Sequence, residues 1–395
     1  MDEQLARQIG TRLRRYRRAC GKTQPVVAEL AGISSNYLYQ LEQGKKAATV
    51  SVLLALAEVL DVSPATLLDD TAPAPPRATP SGVAGPTLHR AMTLPVPDET
   101  PPSIREVSAR LDCAWQAWQR SPNRYSTVVG ALSSLIVQVE QLLHLEQPSR
   151  TSWRLASQTY GLARTVAKRI GRVDLALVAA ERAQRAALAC GEPLLLGVAA
   201  WNSAHATLAH GHAEVAEEIA LTATEPITAE NSLDAAAIYG SLMLVAAMAA
   251  VRRGRAWTAR ERLQDLAAIA DRTGELNTGW TAFGPTNLAM HAVSVELEAG
   301  QPRQARKLAE NIDPHQSVSI ERRVAFLLEH ARAHQLGNDH NATLVLLQAA
   351  AREAPEDVAA RPFAREILHE VIHHGSRTTA NEAAHLAERL TIPLG

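Results

Sequence analysis

Hydrogen-bonding side chains gather on one short helix expected near the start of the chain. Ser35, Asn36 and Gln40 fall on the exposed face of this helix, and all three are uncharged. Such groups can donate hydrogen bonds to base edges in a major groove, or accept bonds from them. Seven basic residues and no acidic residue lie between Arg7 and Lys22, and such cations neutralise phosphates. This end of the chain is therefore expected to contact double-stranded DNA.

The elements that must position these groups are marked clearly in the sequence. Thr23 is a suitable N-cap for a second helix that ends at Gly32, and Ser34 caps a third helix that stops at Gly44. Six apolar residues at helical spacing are expected to lock the two helices across a tight turn. They are Val27, Ala28, Leu30, Ile33, Leu38 and Leu41.

These positions together resemble a known family. The segment reads Thr23-Gln24 … Ala28 … Gly32-Ile33-Ser34 … Leu38 … Leu41-Glu42-Gln43-Gly44 and, over residues 9 to 68, resembles the Cro/C1-type (XRE) helix-turn-helix family. The resemblance implies a lambda-repressor-like domain that binds a DNA operator, with base contacts from Ser35, Asn36 and Gln40. We assign contacts that position the DNA backbone to Thr23, Gln24, Tyr37, Tyr39, Lys45, Lys46 and Arg15. Pro25 and Val26 replace the family's usual acidic pair. The alternatives are a generic four-helix domain and a helix-turn-helix used for protein contact.

Composition favours an all-α protein in two parts. Apolar residues make up 46% of the 395 residues and aromatic residues only 4%, so alanine and leucine carry the hydrophobic content and favour helices. Nine of the 21 prolines lie between residues 71 and 102, which predicts an extended, mobile linker. The predicted organisation is a helix-turn-helix domain at 1–70, this linker at 71–102 and a helical domain at 103–395.

A glycine followed five residues later by an alanine recurs six times in the C-terminal region, at intervals of 37 to 46 residues. The glycine suits a turn between antiparallel helices, and the alanine lets the second helix pack closely against the first. The pattern resembles tetratricopeptide (TPR) repeats, whose period is about 34 residues. It predicts a TPR-like α-solenoid. The pairs are Gly171/Ala176, Gly211/Ala216, Gly254/Ala259, Gly300/Ala305, Gly337/Ala342 and Gly375/Ala380.

Stacked helix pairs form a concave surface that suits extended peptides or partner helices. Counting back from each turn glycine places seven candidate ligand-binding side chains on this surface. They are Trp201, His205, Ser241, Asn287, Met290, Ser294 and His334. Asn287 is the best candidate because an amide can pair with a peptide backbone in both directions. An ordinary surface residue, or a cap after Pro285, is the alternative for Asn287.

Metal, cofactor and catalytic sites are not indicated. His330/His334 and His369/His373 are each spaced by one helical turn, but no third ligand has a defined place beside them. No phosphate loop, nucleophile elbow or dinucleotide fingerprint occurs, so we expect no cofactor, no metal and no enzyme activity. The apolar run 235–251 is slightly short for a membrane span and is expected to be a buried helix. Three cysteines and a charged N-terminus predict a reduced, cytoplasmic protein.

The predicted function is transcriptional regulation by a homodimer. One helix-turn-helix offers few base contacts, and two half-sites supply affinity and a palindromic target. The architecture resembles peptide-responsive regulators of Gram-positive bacteria, and residues 279–287 resemble a segment of actinobacterial XRE regulators with helical C-terminal regions. The repeats would then bind a peptide or small-molecule signal. The alternatives are repeats that dock a partner protein without a small effector, and a scaffold that does not bind DNA.

Overall fold

The computed structural model describes residues 3–19, 22–60, 64, 67, 80–97, 100–227 and 232–392. Throughout this part of the chain the regular elements are α-helices and two short 3-10 turns, Thr278–Trp280 and Pro314–Gln316. An isolated β-bridge joins Leu276 and Phe283. The all-α fold is therefore confirmed. The chain forms two compact units that divide between residues 78 and 79.

The first unit packs its helices around a small apolar core. Val27 and Ala28 of the second helix and Leu38 and Leu41 of the third are buried, as the spacing predicts. The prediction is wrong for Leu30, which is 61% exposed because the seven-residue second helix buries one face only. The described helices are α1 (Glu3–Ala19), α2 (Gln24–Leu30), α3 (Ser35–Glu42) and α4 (Val50–Val59).

The first helix of the second unit, α5 (Pro80–Thr93), lies within the predicted linker 71–102 and corrects it. Proline is tolerated at a helix start, because its missing N–H has no partner there in any helix. Pro86 removes one hydrogen bond inside α5, and burial of an apolar face offsets the loss. Residues 71–79 lie outside the described residues, so an extended linker there stays a prediction. The buried face carries Ala84, Leu88 and Met92 at one-turn spacing.

The rest of the second unit is a stack of helical hairpins. Helices that follow one another in the chain pack together, and many also pack against the helix two positions further on, as in a TPR-like solenoid. The further helices are α6 (Ile104–Arg120), α7 (Arg124–Leu143), α8 (Arg150–Arg169), α9 (Val173–Cys190), α10 (Pro193–Ala209), α11 (Ala213–Thr224), α12 (Leu233–Arg252), α13 (Ala256–Asp265), α14 (Ala267–Thr273), α15 (Pro285–Glu298), α16 (Pro302–Ala309), α17 (Ile320–Gln335), α18 (His340–Glu353), α19 (Pro355–Ala360), α20 (Pro362–His374) and α21 (Arg377–Arg389).

Four of the six glycine–alanine turns follow the predicted pattern. In each of them the glycine has a positive φ and the alanine is fully buried: Gly171/Ala176, Gly211/Ala216, Gly254/Ala259 and Gly300/Ala305. The fifth turn is displaced by one residue, because Asn338 has the positive φ of 60° and Thr343 is the buried residue. At the sixth turn Gly375 has a φ of −71°, and Thr379 is buried instead of Ala380.

The solenoid closes on itself. At the start of α7, the Tyr125 hydroxyl donates to Asp357 Oδ1 of α19 at 2.8 Å, and Arg124 forms an ion pair with the same carboxylate. The indole N–H of Trp118 in α6 donates to Glu321 Oε2 of α17 at 2.7 Å. These buried bonds join the first helices of the unit to late ones. The concave surface therefore surrounds a partly open cavity, where the repeat pattern had predicted a groove.

Two of the helices that the structure describes are long and apolar enough to cross a membrane, by length and composition alone. They are Arg124–Leu143 and Leu233–Arg252, and 83% of the apolar window of the second is buried inside the protein. The prediction of a buried core helix at 235–251 is confirmed.

Candidate functional site

The third helix presents the predicted base-reading groups to solvent. Ser34 caps α3, because its hydroxyl accepts a hydrogen bond from the backbone N–H of Tyr37 at 3.1 Å. Ser35 and Asn36 in the first turn are exposed, and Gln40 one turn later is half-buried. Within the described chain, none of these three side chains has a hydrogen-bond partner. Their donors and acceptors are therefore available to a ligand outside the unit.

A buried carboxylate holds α3 against α1 and α2. Glu42 is 5% exposed and accepts hydrogen bonds from Arg17 Nε at 2.6 Å, Arg17 Nη2 at 3.0 Å and Gln24 Nε2 at 2.7 Å. The hydrogen bond to Glu42 raises the pKa of Arg17. Gln24 therefore braces α3, and its donor group is already engaged. The sequence analysis did not single out Glu42 or Arg17, although an acid directly after the buried Leu41 was the available signal.

Part of the basic N-terminal stretch serves the unit's own structure. Arg12 Nη1 donates to the carbonyl of Leu67 at 3.1 Å, and Lys22 Nζ donates to the carbonyl of Val59 at 2.6 Å. With Arg17 bound to Glu42, three of the seven basic residues between positions 7 and 22 are engaged internally. The side chain of Arg15, expected at the DNA backbone, lies outside the described residues.

The other positions predicted at the DNA backbone lie around α3. Lys45 Nζ is 5.9 Å from the centroid of the Tyr39 ring, and Lys46 Nζ is 5.6 Å from that of Tyr37, at cation–π distance. The Tyr37 hydroxyl donates to the carbonyl of Ala47 at 3.4 Å, so this ring supports the loop after α3. The exposed members of the predicted set are Thr23, Tyr39, Lys45 and Lys46.

The second candidate site is a cavity of about 360 Å³ inside the closed solenoid. Its wall is formed mainly by the first helices of successive hairpins, from α6 to α17. The volume lies at the lower end of the range for small-molecule sites. A further cavity of about 730 Å³ shares wall residues with it, among them Lys168 and Arg252. Five predicted ligand residues line the first cavity: Trp201, His205, Asn287, Met290 and Ser294.

The structure places the other two predicted ligand residues elsewhere. Ser241 is 2% exposed and belongs to α12, which is buried on most of its surface, so this side chain faces neighbouring helices. His334 lies in the last turn of α17, where its Nδ1 is 3.1 Å from an Asp339 carboxylate oxygen. The cavity meets the earlier turns of α17, because the closure of the solenoid brings those turns towards α6 and α8.

A strained segment forms one wall of the cavity. Trp280 and Ala282 both have positive φ, of 64° and 54°, although neither is glycine. Such residues cost about 1–3 kcal/mol each and concentrate at functional sites. The Trp280 ring stacks on Trp115 with centroids 5.4 Å apart, and Asn287 Nδ2 donates to the carbonyl of Ala282 at 2.6 Å. This segment, residues 279–287, is one that the sequence analysis singled out.

The sequence analysis missed a group of cations on the same wall. Arg164 stacks on the Trp201 ring at 4.6 Å from its centroid, and Lys168 Nζ is 3.0 Å from His205 Nδ1. Burial, followed by the positive charge of Lys168, lowers the pKa of His205 well below its usual value. Arg322 completes the group. The available signal was the one-turn spacing of Arg164 and Lys168, which matches that of Trp201 and His205 in the next hairpin.

The histidine pairs do not gain further ligands. Among the described residues, no group of three or more His, Cys, Asp or Glu side chains could hold a metal ion. The Nε2 atoms of His369 and His373 are 3.0 Å apart, so one ring donates to the other. The rings of His330 and His334 have centroids 5.0 Å apart.

The solved structures that resemble this chain include a Rap protein and PlcR, each matched over most of its length. The Rap protein complexed with competence and sporulation factor is 11% identical, with a TM-score of 0.47, and the match covers 98% of this chain and 97% of that one. PlcR of Bacillus thuringiensis, solved in complex with the peptide PapR7 and DNA, is also 11% identical, with a TM-score of 0.34. That match covers 84% of this chain and 99% of PlcR.

Sequence comparisons concern the first unit. Residues 8–69 match the family model described as a helix-turn-helix domain. The uncharacterized HTH-type transcriptional regulator y4dJ of Sinorhizobium fredii is 40% identical over 63 residues, which are 16% of this chain and 82% of the relative. The capped α2–turn–α3 geometry, with its exposed polar groups, agrees with both matches. The chain therefore belongs to the helix-turn-helix transcriptional regulators.

Proposed function

We propose that this regulator reads a DNA operator through Ser35, Asn36 and Gln40, under the control of a ligand bound in the second unit. The observation that carries the first half is that Ser35 and Asn36 are exposed, Gln40 is half-buried, and none of the three has a partner among the described residues, on a helix held in place by Glu42. Rigid support matters because base readout depends on hydrogen-bond geometry.

Phosphate contacts complete the interface in this proposal. The exposed Lys45 and Lys46 follow α3 directly, and their ammonium groups can neutralise phosphates beside the groove. Thr23, Tyr37 and Tyr39 can supply further backbone contacts. Such contacts position the protein on the duplex and carry no sequence information directly.

The second half of the proposal rests on the cavity. Successive hairpins direct a tryptophan, histidines, an asparagine and a serine to one cavity, and a strained segment forms one wall of it. A volume of about 360 Å³ favours a small ligand, or one end of a short peptide, over an extended partner helix.

The proposed mechanism is a shift in population between two states of the regulator. A ligand changes DNA affinity only as far as it binds one state more tightly than the other. We propose that the regulator acts as a homodimer on a palindromic operator, because two half-sites supply the affinity that one α3 lacks. We propose a cytoplasmic location, because the proposed target is DNA.

The test of DNA reading begins with genome-wide mapping of bound sites, which identifies the operator. Affinity is then measured for Asn36→Ala and Gln40→Ala, with Gln147→Ala as the matched control because Gln147 is an exposed glutamine of the second unit. We expect each α3 variant to lose about 1–3 kcal/mol, roughly 5- to 150-fold in affinity. Unchanged affinity in both variants would exclude readout by α3.

The test of ligand control is purification of the protein from its native cells, followed by mass spectrometry of what dissociates on denaturation. A small molecule or short peptide whose removal or return changes operator affinity supports the proposal. A co-purifying protein in its place, without a small ligand, supports the alternative in which the repeats dock a partner.

A further inference from the structure

Three cations on the cavity wall lack a negative partner. Arg164 is 2% exposed, and its hydrogen-bond acceptor is the neutral amide of Asn202, 2.7 Å from Nε. Lys168 is paired only with the His205 ring. Within the described residues, neither of these cations nor Arg322 forms an ion pair with a carboxylate. Lys168 and Arg322 are half-buried beside the buried Arg164. Removing cations from water without a counter-charge is unfavourable, so an anion from outside the chain would stabilise this arrangement.

The two carboxylates of the same wall only partly offset these cations: the charge of Glu321 raises the pKa values of Arg164 and Arg322 against the effect of burial, but neither carboxylate forms an ion pair with the three cations in the described part of the chain. Glu321 is engaged by Arg169, whose Nε lies 2.6 Å away, and by Trp118. Glu329 accepts a hydrogen bond from Ser294 at 2.6 Å, and burial raises its pKa, which favours the neutral acid. The wall therefore carries a net positive charge.

Unpartnered polar atoms lie on the same wall. Gln119 Oε1, Asn287 Oδ1 and Ser319 Oγ are buried and have no hydrogen-bond partner in the described part of the chain. Their side chains come from α6, the start of α15 and the cap position of α17, so three separate elements direct unsatisfied groups to one space. Buried polar groups normally find a partner, and a ligand with hydrogen-bonding atoms would provide it.

We propose that this cavity binds a small anionic ligand, whose carboxylate or phosphate group lies among Arg164, Lys168 and Arg322 and whose apolar body packs against the wall tryptophans. The inference rests on the proposal that the second unit binds a signal, and it names the chemical class of that signal. Arginine and lysine are suited to oxyanions, because each hydrogen bond is assisted by charge. Trp115, Trp201 and Trp280 supply aromatic surface beside them.

The lowered basicity of the cations agrees with this assignment. Burial, rather than any bonded neighbour, is the main cause that lowers the pKa values of Arg164, Lys168 and Arg322. Nearby cations add to the effect, as Arg169 does at Lys168. An oxyanion bound among them would reverse both effects and stabilise the folded unit by mass action.

The test uses thermal unfolding of the full chain, followed by tryptophan fluorescence. All six tryptophans of the chain belong to the second unit, so the signal reports that unit. The probes are sodium phenylacetate, its neutral isostere phenylacetamide, and sodium phosphate, compared with sodium chloride at equal ionic strength. We expect a saturable rise in the unfolding midpoint with phenylacetate or phosphate, and none with the amide. The larger rise identifies the carboxylate or the phosphate as the preferred group.

Matched variants locate the effect. Arg322→Gln and Lys168→Met should weaken apparent anion affinity about tenfold or more without lowering the midpoint measured in chloride. Arg323→Gln is the control, because Arg323 is the next residue of α17 and is already paired with Glu353. Equal midpoints in all anions, or full anion stabilisation in Arg322→Gln, would overturn the proposal. If phenylacetamide raised the midpoint as much as phenylacetate, the requirement for an anionic ligand would be refuted. The proposal that the second unit binds a ligand would still stand.

Discussion

Replacing Glu42 with glutamine tests whether the recognition helix depends on a buried charge. Glu42 accepts two hydrogen bonds from Arg17 and one from Gln24, and its side chain is 1% exposed against 11% for Arg17. Glu42→Gln keeps the shape and one acceptor oxygen but removes the charge and one of the two bonds to Arg17. The guanidinium then stays mostly buried beside a neutral amide.

The expected loss follows from these contacts. A hydrogen bond to a charged group contributes about 1.5–3 kcal/mol, and leaving one member of a buried pair unmatched costs at least as much. Arg17 retains slight exposure, one bond to residue 42 and the bond from its Nη1 to the carbonyl of Lys22 at 3.1 Å. We therefore expect Glu42→Gln to lower the free energy of unfolding of the first unit by about 2 kcal/mol. At 1.36 kcal/mol per decade this is roughly a 30-fold increase in the opening equilibrium.

Hydrogen exchange followed by mass spectrometry is the suitable assay, because it resolves α2 and α3 within the full chain. Amides of α3 should exchange roughly 30-fold faster in Glu42→Gln. Glu58→Gln, at an exposed position of α4, should leave them unchanged. The double variant Arg17→Gln/Glu42→Gln should recover part of the loss, because no unmatched charge remains. Exchange within twofold of the parent protein, or an equal change in the Glu58 variant, would refute the reasoning.

Three further outcomes follow from the described contacts. Lys45→Gln should weaken binding similarly on all DNA sequences and reduce the slope of log affinity against log salt concentration by about 1. An unchanged slope, measured by titration at several salt concentrations, would exclude a phosphate contact. Gly240→Ala places a Cβ 2.2 Å from the Phe283 ring and should lower the free energy of unfolding by about 1–3 kcal/mol, measured by tryptophan fluorescence. Gly130→Ala, in open space within α7, should leave that free energy unchanged or raise it. Burial lowers the pKa of His291 to about 3, so the unfolded chain takes up a proton below pH 6.5 that the folded unit excludes. Stability should therefore fall on acidification, by about 2 kcal/mol at pH 5, and His291→Gln should reduce that fall in urea titrations.

The helix-turn-helix could be predicted in detail because its signals are local. Thr23 occupies the N-cap position of α2 without a side-chain capping bond, whereas the Ser34 hydroxyl caps α3. These positions, the glycine of the turn and the apolar spacing all act within about twenty residues. The bonds that lock α3 were not predicted, since Arg17 and Glu42 are 25 residues apart and nothing nearby pairs them. The exposure of Leu30 was misjudged for the same reason, because it depends on which face of α2 the other helices cover.

Composition misled the prediction at α5. Prolines at 80 and 86 indicated an extended chain, but the backbone preference of a few prolines contributes little free energy compared with the burial of apolar side chains. Burial of Leu88 and Met92 against helices far along the chain outweighs it. The turn at Asn338 shows a milder form of the same effect, because packing moved the turn one residue past the glycine.

The sequence by itself determined the all-α class, the capped helix-turn-helix with Ser35, Asn36 and Gln40 outward, and a repeated hairpin whose turns are mostly made by glycine. These features depend on backbone preference and on periodicity, which act over a few helical turns. Only the tertiary structure decided that the solenoid closes, since the bond between Tyr125 and Asp357 joins residues 232 positions apart. That closure converts a predicted groove into a cavity and brings Arg164, Lys168 and Arg322 together, because the charge and burial of a site depend on all the elements around it.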